Sequence, residues 1–464
     1  MENLYKRYAS EEILRIFSDE NRYKVWRKIW LCLAKAEKEL GIEIPEDAIK
    51  QMEEKLDQID FKRVSEIEKE TKHDVMAHIH HFGEVAPLAK GYLHLGATSC
   101  DITDNADLIL IKEGLKFLLE KIQNLLYSLK EKALEYKNLP CLGYTHLQIA
   151  QPTTFGKRIC IYIQDFLQDF LDIKNLLEDF PLRGLKGATG TQSSFYVLLG
   201  GDEKKVEILE KRFAHLLGFY NLFPITSQTY TRKFDCIISD ALKGIAISAG
   251  KFSRDLRILQ SFGEIKEPFG TKQVGSSAMP FKQNPMKMER TTSLSRYLLH
   301  LLRSLEDTAS EQFLERTLDD SAIRRFVIPQ SFFVSDGILS LCIETARNLN
   351  VNKDLIKKRF SEYFPLLSVE TILMEWVKRG GDRQVIHNIL KEETLKIKNL
   401  KNKNVLFENL LKRKDFPISK AELKKILRIK NFIGLSKLQV ERFIKYYVEP
   451  NLKEFKEIKV EIKV

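Results

Sequence analysis

Between Asn105 and Tyr136 the chain reads NADLILIKEGLKFLLEKIQNLLYSLKEKALEY, about 30 residues of apolar stripe at helical period without a proline. A typical globular helix ends after about 11–12 residues. Three further stretches of this kind run from Phe155 to Phe180, Phe234 to Phe262 and Met286 to Phe313, punctuated by Pro152, Pro181, Pro224 and Pro285. Helices this long, joined by loops of moderate length, can bury their stripes only against one another. The pattern predicts an all-α chain built around a bundle of long helices, and strand-like alternation is rare.

The 464 residues, 44% of them hydrophobic, suffice for two or three domains. Helix length sets boundaries near 98 and 351, giving a charge-rich helical domain over 1–98, the long-helix bundle over 99–351 and shorter helices over 352–464. Ser65-Glu66-Ile67-Glu68 and Ser419-Lys420-Ala421-Glu422 fit capping boxes opening helices in the first and third of these. No stretch reaches the roughly 18 uninterrupted apolar residues of a membrane span, and MENLYKRYASEEILRIF lacks the apolar core of a secretory signal. The six cysteines are scattered, with no CxxC pair, which suits a reducing compartment. The expectation is a cytoplasmic protein.

The net charge is +11, and the segment from Lys391 to Val464, with 20 Lys and Arg against 10 Asp and Glu, holds +10 of it. Lysine alternates there with Leu, Ile and Phe, as in LKKILRIKNFIGL, the pattern of amphipathic helices with a solvated basic face. Binding of a polyanion is the alternative, although nucleic acid is not an expected partner.

The loop from Gly263 to Pro285, GEIKEPFGTKQVGSSAMPFKQNP, is too long for a simple connector. Beside Gly275 it carries two hydroxyls, Ser276 and Ser277, followed by a cation and an amide at Lys282 and Asn284. A serine acts as a base only where cations and N–H donors stabilise its alkoxide, and this loop supplies both; an ordinary Ser/Gly/Pro turn is the plainer reading. Four of the nine histidines fall in HDVMAHIHH, where a helix would put His73 with His80 on one face and His78 with His81 on another. No HExxH or cysteine ligand accompanies them, so a metal is not expected; His73 beside Asp74 could instead orient an anionic substrate. His146 sits at a junction between two long helices, suited to general acid–base work or to loop packing. Anion-binding candidates are Arg7-Tyr8, the Thr98-Ser99 pair at a helix start, and ERTLDDSAIRR from Glu315 to Arg325. The glycine-rich RGLKGATG over 183–190 has neither a P-loop signature nor a preceding strand.

Together these pieces resemble one family. GSSAMPFKQNP is similar to the GSSxMPxKxNP loop of the fumarase/aspartase superfamily, and KHDVMAH, HLGATSCDITDN, YTHLQIAQPTTFGKR, GLKGATGTQSSF, QTYTRKFD and ERTLDDSAIRR resemble adenylosuccinate lyases, particularly the form found in animals. The resemblance implies a three-domain helical subunit, a homotetramer with a twenty-helix core, and active sites shared between three subunits. It implies β-elimination without cofactor or metal: a small nucleotide, adenylosuccinate, yields AMP and fumarate, and the related carboxamide ribotide of purine synthesis is cleaved likewise. By position Ser276 would be the base and His146 the acid, while Lys282 and Asn284 would hold the succinyl carboxylates. His73 with Asp74, Thr98 with Ser99, Thr145, and Gln228 would position the substrate; Arg7, Tyr8, Arg290, Arg316, Ser321 and Arg325 would grip phosphate and carboxylate. Spacing does not choose Ser276 over Ser277. QTYTRK and ERTLDDS argue against a sister lyase such as argininosuccinate lyase or fumarase. His73, His146, Ser276 and Lys282 argue against an idle structural relative.

Overall fold

The computed structural model describes residues 2–270, 272–397, 399–400, 402–453, 455–460 and 462. Lys398, Lys401, Glu454, Glu461, Lys463 and Val464 of the basic segment lie outside the described residues. The chain opens with α1 (Glu2–Tyr8), α2 (Glu11–Ile16), α3 (Asp19–Glu39), α4 (Glu46–Glu54), α5 (Phe61–Thr71) and α6 (Asp74–Val85). Two local expectations need correction here. Helix α5 starts from Asp60, whose carboxylate accepts the Lys62 and Arg63 N–H groups at 3.0 Å, so Ser65 and Glu68 lie inside the helix and cap nothing. His73 does not share a helical face with His80, because it is the N-cap of α6: its Nδ1 accepts the Met76 N–H at 3.3 Å. His78 and His81 do face inward together, His78 stacked on Tyr23 with ring centres 3.9 Å apart and His81 Nδ1 2.8 Å from Arg27 Nη2.

The bundle follows. Helix α7 (Ser99–Glu135) has 37 residues, about 55 Å of rise. After it come a hairpin of β1 (Pro140–Thr145) and β2 (Gln148–Thr154), then α8 (Phe155–Glu178), the short α9 (Ser193–Leu198) and α10 (Glu203–Leu216), and α11 (Lys233–Ser261). Strand β3 (Ile265–Lys266), α12 (Met286–Ser310), α13 (Asp319–Arg347) and β4 (Asn350–Val351) complete this part, β3 and β4 pairing antiparallel. The four predicted long helices correspond to α7, α8, α11 and α12. A fifth, α13, has no matching stripe in the sequence because it is apolar on nearly every side and carries Pro329 inside it. Its length and composition would also suit a membrane span, but 78% of its apolar window is buried within the protein. These helices share one core in which Leu118, Phe166, Phe252 and Phe332 are fully or almost fully buried.

Helices α14 (Lys353–Leu367), α15 (Val369–Val377), α16 (Arg383–Ile397), α17 (Val405–Leu411), α18 (Lys420–Ile426) and α19 (Ser436–Phe443) follow. The predicted capping box at Ser419 and Glu422 opens α18. Leu406, Leu410, Ile418 and Leu423 form a separate small core while Lys420, Lys424 and Lys425 are exposed, the solvated arrangement read from the alternation. The hairpin rests on α14, with Leu142 packed against Phe360 and Leu367. A strap over 455–458 returns to the bundle: Phe455 stacks on Tyr127, and the Asn124 amide donates to Lys456 O and accepts the Ile458 N–H, both at 3.0 Å.

The glycine-rich segment 183–190 wraps the start of α7. Fully buried Arg183 pairs with fully buried Asp101, whose carboxylate also accepts the N–H groups of Thr98, Lys186 and Gly187 at 2.8, 2.8 and 3.2 Å. Gly190, at φ +82°, leaves no room for a Cβ, which would sit 2.0 Å from Thr226 O. Replacing Arg183 by Met strands the Asp101 charge and is expected to cost about 3–5 kcal/mol, read as a lower urea midpoint; Arg212→Met, at the exposed pair with Glu39, should leave the midpoint nearly unchanged. Glu37 on α3 is buried, among the described residues neither of its carboxylate oxygens has a partner, and burial pushes its pKa up from 4.5 to about 9. The folded chain therefore keeps a proton that the unfolded chain releases, so stability falls as pH rises between those values, by up to about 1.4 kcal/mol per unit. Glu37→Gln should raise the urea midpoint more at pH 8 than at pH 5, and equal gains would contradict a protonated Glu37.

Candidate active site

Three helix N-termini converge on one cavity of about 450 Å³. Its lining includes Asp74 from the first turn of α6, Ser99 and Cys100 from that of α7, and Asp320 and Ser321 from that of α13. The aligned peptide dipoles make each such end attractive to anions, although at α6 the Val75 and Met76 N–H groups are already taken by Asp74 and His73. Arg22, Lys72, Arg316 and Arg325 add cationic side chains to the wall. Of the residues singled out in the sequence, His73, Asp74, Ser99, Gln228, Arg316, Ser321 and Arg325 meet here.

Their positions are set locally. A backbone N–H donated to His73 Nδ1 leaves Nε2 to carry the proton of the neutral ring. Asp74 lies 3.7 Å from that ring and pairs with Arg325. Burial pushes the Asp74 carboxyl up, but Arg325 outweighs it and holds the group below the usual carboxylate range. Gln228 Nε2 donates to Ala188 O at 3.0 Å, joining the QTYTRK segment to the glycine-rich wrap.

Part of the wall is itself a buried lattice of charge, with Asp104, Asp107, Arg232, Asp320 and Arg324 all lining the cavity. Arg232 forks onto Asp104 at 3.0 and 3.1 Å and reaches Asp320 through Nε at 2.7 Å. Asp320 also accepts Arg316 Nη1 at 2.8 and 3.0 Å, which fixes a cation on the cavity wall. Arg324 bridges Asp107 at 3.0 Å, Asp235 at 2.8 Å and the Tyr230 hydroxyl at 2.5 Å, and that hydroxyl donates to Asp235 at 2.5 Å. Burial raises Asp104, yet Arg232 and Arg324 hold its carboxyl below the ordinary range; burial drives the Tyr230 phenol well above its own. None of Asp104, Arg232, Asp320 and Arg324 was singled out individually in the sequence. The available signal was Asp101 and Asp104, two acids at i, i+3 on the first turns of a helix whose later turns carry an apolar stripe.

The remaining candidates do not line this cavity. His146 is at the hairpin tip, a two-residue turn in which His146 and Leu147 both have positive φ, 53° and 57°. Such turns normally take Asn-Gly, so the sequence accepts backbone strain to present an exposed imidazole and its neighbour Thr145. Ser276, Lys282 and Asn284 sit in the 263–285 loop, with Lys282 exposed. Inside it Met279 N–H donates to Ser276 Oγ at 3.1 Å, and Asn284 Nδ2 donates to Gly275 O at 2.9 Å. The neck of the loop is closed by Glu267, whose carboxylate accepts the Lys287 and Met288 N–H groups at the start of α12. Arg290 follows on α12, Thr98 caps α7, and Arg7 and Tyr8 end α1, with Tyr8 against Gly337 of α13. Among the described residues no group of three or more His, Cys, Asp or Glu is arranged to hold a metal ion.

Comparison with known proteins agrees with this architecture. The lyase family model matches residues 5–298 and the adenylosuccinate lyase C-terminus model matches 365–443. Adenylosuccinate lyase of Saccharomyces cerevisiae is 42% identical over 459 residues, covering 97% of this chain and 95% of that protein. The Schistosoma mansoni adenylosuccinate lyase is 42% identical over 462 residues, covering 98% and 96%. In fold the chain is similar to the 3-carboxy-cis,cis-muconate lactonizing enzyme of Pseudomonas putida, at TM-score 0.84 and 21% identity over 97% of this chain and 100% of that one. A fumarate lyase from Mesorhizobium sp. BNC1 superposes with TM-score 0.83 at 22% identity, covering 95% and 98%. The all-α expectation and the resemblance read from the motifs are both borne out, and the chain belongs to the adenylosuccinate lyase family of carbon–nitrogen lyases.

Proposed function

We propose that the chain splits adenylosuccinate into AMP and fumarate, and cleaves the succinylated aminoimidazole carboxamide ribotide of purine synthesis likewise, with the cavity holding the nucleotide. The observation that carries this reading is the convergence of three helix N-termini with Arg316 and Arg325 on one cavity. A substrate with a phosphate and two carboxylates needs such a concentration of donors and cations. Ser276 takes the Cβ proton, electrons move into the new C=C bond as the C–N bond breaks, and His146 protonates the departing nitrogen. The Met279 N–H on Ser276 Oγ supports that assignment, since an alkoxide needs fixed donors. Lys282 and Asn284 hold the succinyl carboxylates. His73, Asp74, Thr98, Ser99, Thr145 and Gln228 orient the substrate, while Arg7, Tyr8, Arg290 and Ser321 join Arg316 and Arg325 on the anionic groups.

His146, Ser276 and Lys282 are exposed or half-exposed on elements outside the cavity of their own chain. That separation favours a homotetramer in which three subunits supply each site. In the same reading the chain divides at 98 and 351 into three domains and works in the cytoplasm.

Fumarate release from adenylosuccinate, followed by ultraviolet absorbance, tests the reaction. Ser276→Ala and His146→Ala should each lower kcat by roughly 10²- to 10⁴-fold, with Ser277→Ala close to wild type; the reverse ranking of the two serines would move the base to Ser277. Light scattering at micromolar concentration should give four times the subunit mass, and a monomer that turns over would remove the shared site.

A further inference from the structure

The hairpin that carries His146 and the loop that carries Ser276 share an anchor. Glu264 follows Gly263 at the root of the loop and is buried to 1% exposure. Its carboxylate receives the Tyr144 hydroxyl from β1 at 3.2 Å, Arg359 from α14 at 2.7 Å and Arg158 from α8 at 3.5 Å. Arg158 in turn donates to Leu142 O on the same strand. The rings follow the charges: Tyr144 lies against Phe262 with centres 5.3 Å apart, and the Arg359 guanidinium stacks 4.8 Å from Phe262. Three elements thus meet on one carboxylate, whose two oxygens are both engaged.

Tyr144 is two residues before His146 and pairs with Ile149, one ladder pair back from the turn. The turn is strained and exposed, so nothing within it fixes the direction of the imidazole. We infer that Glu264 is a positioning residue for the elimination, holding the His146 hairpin through Tyr144 and Arg158 and setting its place relative to the root of the Ser276 loop. This rests on the reading of His146 as the acid. A shift of about 1 Å in a reacting group costs up to roughly 10²-fold in rate, so a hydroxyl far from the chemistry can matter to it.

Tyr144→Phe removes one spoke and leaves the ring contacts, so it is the variant that should still fold. It should lower kcat roughly tenfold with KM within about twofold and an unchanged thermal midpoint. Glu264→Gln should lower kcat further, and the double variant should be no slower than Glu264→Gln alone, because the tyrosine then has no carboxylate to act through. Full kcat in Tyr144→Phe, or losses that multiply in the double variant, would overturn the inference. His146→Ala is assayed beside them. If it is inactive while Tyr144→Phe is fully active, the anchor alone is refuted; if it turns over normally, the acid assignment fails and the inference falls with it.

Discussion

Everything around the cavity depends on charges that have no water to fall back on. Asp104, Asp235 and Asp320 are each at most 2% exposed, and Arg232 and Arg324 are 4% and 5% exposed. A guanidinium cannot shed its proton in a protein, and a desolvated ion costs several kcal/mol unless paired and hydrogen-bonded. Asp104 comes from α7, Arg232 and Asp235 from the start of α11, and Asp320 and Arg324 from α13. Few arrangements of three helices satisfy all five groups at once. Apolar packing brings the helices together, and the ion lattice decides how far along one another they slide. That axial register puts the N-termini of α7 and α13 at the same level, where their dipoles add.

The long helices were legible because each shows water one face and the core another. Helix α13 was not, since beyond its first two turns residues buried on nearly every side leave no period to read. The hairpin escaped for a related reason: its turn is His146-Leu147, which carries none of the Asn or Gly that marks a positive-φ turn. At residue 65 the cap motif was present but Asp60 began the helix first, so a local signal lost to an earlier one of the same kind. The residues that touch the cavity were reached through motif resemblance. The bracing acids and arginines fell inside the same motifs without a role of their own, because an Asp or Arg paired inside a protein has the same letter as one on its surface.

Recognition and chemistry are built from different material. The cavity is walled by helix ends locked to one another, a rigid receptor for fixed anionic groups. His146 and Ser276 are carried by a strained turn and by a long loop closed at its neck by Glu267. Rigid helix ends hold an anion in one place at little entropic cost, whereas a loop held at its root and neck can pivot as a unit.

The strap at 455–458 has a consequence in time. Asn124 lies in the middle of α7, bonded to Glu120 O of its own helix and to Arg347 of α13, yet its amide also takes two backbone partners 332 and 334 residues downstream. At a ribosomal rate of roughly 5–20 residues per second, those partners emerge on the order of half a minute after Asn124 itself. Until then the face of the longest helix that the strap covers, Tyr127 included, stays open. The nascent bundle must wait with one seam open, and the interval in which it is vulnerable to wrong partners is set by translation speed as well as by folding.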